Sequence, residues 1–127
     1  MASKTQETVV VQVESAYLPS QSNPLQNRWF FVYQVTIKND GLLPVQLISR
    51  HWIVTNARGE EQHVRGPGVV GSQPLIAPGQ EFSYTSGCPL DTSMGSMHGS
   101  YQMVDSEGTQ FDAKIAPFVL VNPLDLN

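Results

Sequence analysis

Three glycines with the spacing Gly-x-Gly-x-x-Gly, at Gly66, Gly68 and Gly71, form the pattern in this chain that most directly suggests chemistry. Where such a run joins a strand to a helix, the small residues let backbone N–H groups approach a pyrophosphate closely. The pattern therefore defines a candidate anion- or nucleotide-binding loop. That loop comprises Arg65, Gly66, Gly68, Val69, Val70 and Gly71.

The residues around this loop argue against a dinucleotide fold. Pro74 and Pro78 follow it, and a helix interior tolerates neither, so no positive helix end is available to face a phosphate. Pro67 lacks an N–H donor, and no Lys-Ser or Lys-Thr follows Gly71 as in a Walker loop. We therefore predict an irregular crossing between sheets, in which glycine supplies positive φ. Phosphate, pyrophosphate or nucleotide binding by the loop stays open as the alternative function.

The histidines are the other residues that could hold a ligand. His51, His63 and a carboxylate such as Glu60 or Glu61 could in principle gather a metal ion. No pair has the close ligand spacing that is typical of structural zinc sites, and His98 stands beside a glycine in a predicted loop. We therefore expect solvated or hydrogen-bonded histidines, and we predict neither a metal site nor a cofactor.

Nucleophilic catalysis has no recognisable constellation in the sequence. Cys88 precedes Pro89, and neither a Cys-His-Asn pattern nor a Gly-x-Ser-x-Gly elbow is present. We therefore predict no catalytic residues and no enzyme activity.

Length and composition predict one globular domain over residues 1–127, with tails at about residues 1–6 and 121–127. Hydrophobic residues make up 40% and charged residues 14%, unlike a disordered chain. The net charge is -4 and the basic residues are scattered, so we expect no direct nucleic-acid binding. The single cysteine, the polar N-terminus and the lack of a long apolar run favour a cytoplasmic protein that does not enter a membrane.

Alternating strands must position these side chains. The clearest strand is residues 28–38, where Phe31, Tyr33, Val35 and Ile37 share one face. No segment has a convincing 3.6-residue period, and the ten glycines and nine prolines interrupt nearly every candidate helix.

The remaining segments complete the fold prediction. Further strands are predicted over residues 8–18, 45–56, 60–64, 81–86, 99–105 and 109–120, and a loop over residues 91–98. Turns that separate short strands at this spacing indicate an all-β fold. We predict an immunoglobulin-like or fibronectin type III-like antiparallel β-sandwich of about seven or more strands, without the paired cysteines of antibody domains.

Adjacent large apolar residues occur at two places in this pattern. Trp29 and Phe30 precede Phe31, and Val119 follows Phe118, so these residues cannot all face one core. We predict an interaction surface that includes Trp29, Phe30, Phe118 and Val119, with burial under loops as the alternative. A protein partner or a second copy of the chain, giving a homodimer, would pair with an edge strand there.

Several motifs in order resemble the ApaG family, from about residue 14 to residue 120. They are Tyr33, Ile37 and Asn39 in the first strong strand, VQLISRHWIV at 45–54, GPGVVGSQP at 66–74, IAPGQEFSYTSG at 76–87, MGSMHGSYQM at 94–103 and IAPFVL at 115–120. The resemblance implies an immunoglobulin-like β-sandwich in a bacterial protein associated with cobalt and magnesium efflux phenotypes. It also implies a module that binds proteins, as in F-box proteins and a polymerase-delta-interacting protein. A nucleotide or pyrophosphate site has been suggested at the family's glycine loop, and the family supplies no agreed catalytic residues.

Overall fold

Two antiparallel sheets face each other in the computed structural model, which describes residues 8–126. The strands are β1 (Val9–Tyr17), β2 (Trp29–Asn39), β3 (Val45–Asn56), β4 (Glu61–Pro67), β5 (Leu75–Ile76), β6 (Glu81–Leu90), β7 (Met94–Asp105) and β8 (Gln110–Val121). Apart from Thr8, which has helical conformation, the helical structure in the described residues consists of 3-10 turns at Pro19–Gln21, Pro24–Gln26 and Pro123–Leu126. The predicted all-β sandwich is confirmed, while its likeness to immunoglobulin or fibronectin domains stays a prediction.

The sheets differ in width. Among the described residues the narrow sheet has the order β1-β2-β6, and the wide sheet has the order β4-β3-β7-β8, with β5 pairing beside β4 on β3. On one flank of the sandwich β1 lies against β8, and the Ser15 hydroxyl donates a 3.1 Å hydrogen bond to the carbonyl of Val119. The other flank lies between β4 and β6, and we call it the open flank.

The central strand of the narrow sheet follows the predicted alternation. Phe31, Val35 and Ile37 are completely buried, and Tyr33 is nearly so, while the residues between them are more exposed. Asn39 ends this strand and is also completely buried. Its amide donates to the carbonyls of Leu43 and Ile76 at 2.8 and 3.0 Å, so a polar side chain fastens the strand end without an unsatisfied group.

Trp52 lies at the centre of the core between the sheets. Its ring packs against Tyr33 of β2, Tyr101 of β7 and Phe118 of β8, with centroid distances of 5.3, 6.2 and 5.9 Å. Edge-on aromatic packing of this kind adds to the free energy of apolar burial. Tyr84, Tyr101 and Phe111 are buried in the same core, and Phe82 is half-buried against it.

The prediction of a loop over residues 91–98 is wrong, because β7 already begins at Met94. Glycine in this segment serves close packing. A Cβ on Gly99 would lie 2.0 Å from the carbonyl oxygen of His51, and one on Gly95 would lie 2.5 Å from that of Thr55. Composition alone indicated a loop, but the small residues let β7 approach β3 closely.

The predicted tails are described in part. Residues 1–6 lie outside the described part of the chain. Val121 is the last residue of β8, and Pro123–Leu126 form a 3-10 turn. Within residues 8–126 no helix has the length and apolar character that crossing a membrane would require.

Replacement of Trp52 should remove the centre of the aromatic core. Because the side chain is 2% exposed, we expect Trp52→Ala to lower the free energy of unfolding by about 3–5 kcal/mol in urea denaturation. Leu42→Ala is the control, since Leu42 is 94% exposed and its loss should change the value by less than about 0.5 kcal/mol. A loss below about 1 kcal/mol for Trp52→Ala would contradict the central role of this side chain.

Candidate functional site

The glycine loop is a tight hairpin extension at the end of β4. Val69 and Ser72 exchange backbone hydrogen bonds of 2.8 and 2.9 Å, and φ is positive at both residues between them, at +42° for Val70 and +79° for Gly71. This combination belongs to a type I′ turn. No helix follows, which agrees with the prediction made from Pro74. The predicted irregular crossing between sheets is wrong, because the turn lies between β4 and β5, which both pair with β3.

Backbone donors of the loop are largely used within the protein. The N–H of Gly68 donates to the carbonyl of Ile48 at 2.8 Å, and those of Val69 and Ser72 bond to each other's carbonyls. An anion nest needs neighbouring N–H groups that point together at a ligand. Because these donors are already engaged and Pro67 has none, the loop lacks the array that holds a pyrophosphate.

Close contacts within the protein account for the absence of a side chain at Gly66 and Gly68. Its Nη1 donates to the carbonyls of Pro67 and Gly68 at 3.0 and 2.9 Å, so the guanidinium fastens the loop. A Cβ on Gly66 would lie 2.9 Å from Nη2 of Arg50, so the absence of a side chain leaves room for the guanidinium. A Cβ on Gly68 would lie 2.2 Å from the carbonyl oxygen of Ser72.

The other predicted loop residues have separate surroundings. Arg65 is exposed in β4 and lies opposite His51 in the strand register. Val69 is buried in the core, whereas Val70 is 63% exposed at the tip of the turn. Arg65 and Gly66 line one groove together with Arg50, whereas the rest of the predicted loop does not line it. The structure therefore brings together only part of the predicted loop.

A β-bulge in β3 turns Arg50 toward the space between the sheets. The register with β7 shifts between Leu47 and Ser49, so the inward positions change from Val45 and Leu47 to Arg50 and Trp52. The sequence contains this signal as a change in the parity of the apolar residues. Because the sequence pattern predicts one uninterrupted strand over residues 45–56, it indicates Arg50 only as a possible charge beside the glycine loop and not as an inward side chain.

The open flank forms a cleft between the sheets at Arg50. The residues that line it come from β2, β3, β4, β6 and β7, and they include Tyr33, Arg50, Trp52, Val64, Ser86 and Cys88. Burial raises the pKa of Tyr33, while the neighbouring Ser86 hydroxyl and the positive charge of Arg50 offset part of that rise. The indole Nε1 of Trp52 is buried without a hydrogen-bond acceptor of good geometry. The cleft thus combines apolar walls with a cation and hydroxyl groups.

The tyrosines beyond this cleft are unsuited to act as bases. The hydroxyls of Tyr84 and Tyr101 form a short hydrogen bond in the core. Burial raises the pKa of Tyr84 to about 12 and also raises that of Tyr101. Burial likewise raises the pKa of the Cys88 thiol to about 11, so this thiol is inert at neutral pH.

Two of the histidines meet on the outer face of the wide sheet. His51 Nε2 and His63 Nδ1 are 2.8 Å apart, and His63 Nε2 lies 3.8 Å from a carboxylate oxygen of Glu61. Desolvation lowers the pKa of His51, and Arg65 acts in the same direction. The structure thus brings together His51, His63 and Glu61, which the sequence grouped as possible ligands, as a hydrogen-bonded histidine pair beside a carboxylate.

Glu60 has a different partner from this pair, whereas His98 lines a groove together with His51. Glu60 forms an ion pair of 2.8 Å with Arg58, which also binds Asp91 at 2.6 Å. His98 lies opposite Ile53 in the register between β3 and β7. Among residues 8–126 no group of at least three histidine, cysteine or acidic side chains is arranged to hold a metal ion.

The predicted aromatic surface has mixed surroundings. Trp29 is half-buried against the core, and the ring of Phe30 covers Gly87 on the neighbouring strand, where a Cβ would lie 2.4 Å from it. A register shift between β7 and β8 lets Phe118 point inward onto Trp52, while Val119 is 55% exposed. Whether these residues contact a partner stays a prediction, but Phe30 and Phe118 also have clear packing roles within the chain.

The turn at Val70 should carry measurable backbone strain. Positive φ is costly for a β-branched residue and much less so for asparagine, so we expect Val70→Asn to raise the free energy of unfolding by about 1 kcal/mol. Gly71→Ala is the matched change of opposite sign and should lower it by about 1 kcal/mol, because φ at this position is +79° and a residue with a Cβ adopts such a value only with strain. An added Cβ meets no other atom there, so the change reports the backbone strain alone. Urea denaturation measures both values. Equal stability of all three proteins would show that the turn is not strained.

Comparison with known proteins places this geometry in a family. The family model described as the ApaG domain matches residues 19–105. A "Protein ApaG" of Azotobacter vinelandii is 58% identical over 113 residues, which cover 89% of this chain and 90% of that protein. A "Protein ApaG" of Pseudomonas aeruginosa strain LESB58 is 58% identical over 121 residues, covering 95% of this chain and 96% of that one.

A solved structure shares the architecture as well as the sequence. The crystal structure of a Bordetella pertussis protein named ApaA superposes with a TM-score of 0.88 at 50% sequence identity. The match covers 91% of this chain and 94% of that one. Both the fold and the sequence therefore agree with the resemblance found in the motifs, and the chain belongs to the ApaG domain family.

Proposed function

We propose that this protein is a non-enzymatic binding module that recognises a protein partner, or a second copy of itself, through an exposed strand edge. The observation that supports this proposal is the open flank. Among the described residues β4 and β6 each have one edge without a neighbouring strand, and no backbone hydrogen bond joins them. Such edges are templates for an added strand, whose main-chain hydrogen bonds supply affinity and whose alternate side chains supply selectivity.

The chemistry of the site favours binding over catalysis. The thiol of Cys88 is protonated at neutral pH, and the buried tyrosines have raised pKa values. A nucleophile needs an adjacent base and an orienting group, and Cys88 has as its hydrogen-bond acceptor only the carbonyl of Pro89 at 3.7 Å among the described residues. We therefore propose that the protein has no enzyme activity and needs no cofactor.

The setting of the protein is part of the same proposal. A single buried cysteine fits a reducing compartment, so we propose a cytoplasmic location. A homodimer is one form that edge pairing could take. The association with cobalt and magnesium efflux, which the family resemblance implied, would then act through a partner and would not require a metal site on this chain.

Phosphate or nucleotide binding at the glycine loop is the competing function, and the loop geometry predicts that it is weak or absent. We expect inorganic pyrophosphate and ATP to leave the amide resonances of residues 66–72 unshifted at a concentration of about 1 mM, which is high enough to detect weak binding. The reason is that the loop donors already bond to Ile48, Val69 and Ser72. Saturable micromolar binding with shifts confined to this loop would establish the competing function instead, and hydrolysis of the ligand would establish an enzyme.

Blocking the open edges should abolish partner capture without unfolding the protein. The alternation of hydrogen bonds places the N–H groups of His63 and Thr85 on the free edges of β4 and β6. We expect tagged wild type to capture a partner from an extract of its own cells, and the double variant His63→Pro, Thr85→Pro to lose it. The double alanine variant keeps both N–H groups and is the matched control.

Mass spectrometry identifies the captured proteins, and light scattering reports oligomer size. Equal capture by the proline and alanine variants would contradict edge pairing. A strictly monomeric protein that enriches nothing above background, while it binds a nucleotide or a divalent metal tightly, would overturn the proposed function as a whole.

A further inference from the structure

We propose that the partner segment adds beside β6 as a further strand of the narrow sheet and carries an acidic side chain that pairs with Arg50. This inference rests on the proposed function and specifies its edge and its ligand chemistry. The occupant is an extended protein segment with Asp or Glu at one inward position and apolar, β-branched residues at the neighbouring inward positions.

The unequal widths of the sheets indicate where the strand would lie. In the described part of the chain, β4 has no strand of the narrow sheet opposite it. Val64 occupies a position in β4 of the same parity as Gln62 and Gly66, which pair with the inward residues Val54 and Arg50 of β3. It is nevertheless 37% exposed. A strand beside β6 would cover this uncovered inner face, as a matching strand does elsewhere in a sandwich.

The backbone of β6 offers the required hydrogen bonds. The N–H of Asn39 donates to the carbonyl of Gln80, which fixes the alternation along β2 and β6. The backbone groups of residues 82, 84, 86 and 88 therefore form hydrogen bonds with β2. Those of Ser83, Thr85 and Gly87 point to the free edge of β6. Pro89, which lacks an N–H, stands at a free-edge position and costs the sheet no hydrogen bond.

Arg50 supplies the charge that the added segment would match. Its Nη1 bonds to the carbonyls of Pro67 and Gly68, but within residues 8–126 Nε and Nη2 have no hydrogen-bond acceptor and no carboxylate pairs with the guanidinium. The side chain is half-buried and lines the cleft with Tyr33 and Ser86. A cation in such a position favours an ionised partner, because bidentate pairing with a carboxylate is the strongest hydrogen bonding that arginine makes.

Two carboxylates at the opposite end of the open flank already have a cationic partner. A groove continues there past Gln62 and Pro89 to Glu60 and Asp91. Both of these carboxylates pair with Arg58, at 2.8 and 2.6 Å. The cation Arg28 also lines that groove but is exposed, whereas Arg50 is half-buried and its guanidinium is held by the carbonyls of Pro67 and Gly68. We therefore place the acidic side chain of the added strand at Arg50.

Selection from a phage-displayed library of random nine-residue peptides tests the proposal. We expect the enriched peptides to share one Asp or Glu, with β-branched or aromatic residues at alternate positions. For the most enriched peptide made synthetically, fluorescence polarisation should show about tenfold weaker binding when its acidic residue becomes the corresponding amide. Thr85→Pro in the protein should abolish binding, whereas Thr85→Ala should preserve it.

Variants on the wide sheet separate the charge from the fold of the loop. Arg50→Gln should weaken binding about tenfold, and combining it with the amide peptide should cause little further loss, as expected for two groups that interact directly. Since Arg50→Gln also loosens the glycine loop, Val64→Glu is the second variant. Its carboxylate lies on an exposed position of the free protein but would oppose an acidic strand, so we expect at least a tenfold loss.

The outcomes distinguish this inference from the proposed function. Peptides that bind without an acidic preference, or whose binding is lost in His63→Pro but kept in Thr85→Pro, would overturn the assignment to β6 and Arg50 while they support edge recognition. A library that yields no enriched peptide would also overturn it. Failure of the proposed function has a different result, which is equal capture of cellular partners by the proline and alanine variants.

Discussion

The difference in width between the two facing sheets is the constraint on which the other features depend. A sheet that lacks a strand opposite β4 leaves the inner face of that strand uncovered, so Val64 is partly exposed and the cleft at Tyr33 stays open. Arg50 can extend from the core to the surface only because this flank is not filled. On the other flank β1 lies against β8, and the Ser15 hydroxyl donates to the carbonyl of Val119.

Alternation in the sequence was sufficient to predict the sandwich but not its register. In β2 the apolar residues keep one parity from Phe31 to Ile37, so pattern and structure agree. In β3 and β8 a bulge changes the parity, which turns Arg50 and Phe118 inward. Parity alone does not state where the extra residue lies, because that position depends on the partner strand. For this reason the aromatic residues were predictable as core, whereas the cleft at Arg50 was not.

The glycine loop shows how one sequence pattern can satisfy different physical demands. The absence of a following helix was predictable from the prolines, and it removed the strongest argument for a phosphate site. The actual roles were not predictable, because they depend on tertiary neighbours: Gly66 makes room for Arg50, and Gly68 lies against the backbone of Ser72. The same limit explains β7, where glycine-rich composition indicated a loop although Gly99 lies in a strand that approaches His51.

Two prolines on the open flank carry a consequence for solubility. Pro67 and Pro89 both stand at free-edge positions, one at the end of β4 and the other near the end of β6. An unprotected edge can template endless sheet growth between copies of a protein, and proline interrupts the run of donors that such growth requires. Each edge therefore offers a short, bounded stretch of hydrogen-bonding groups. Such a protein keeps a free strand edge available to a specific segment and resists the continued addition of strands that leads to fibrils.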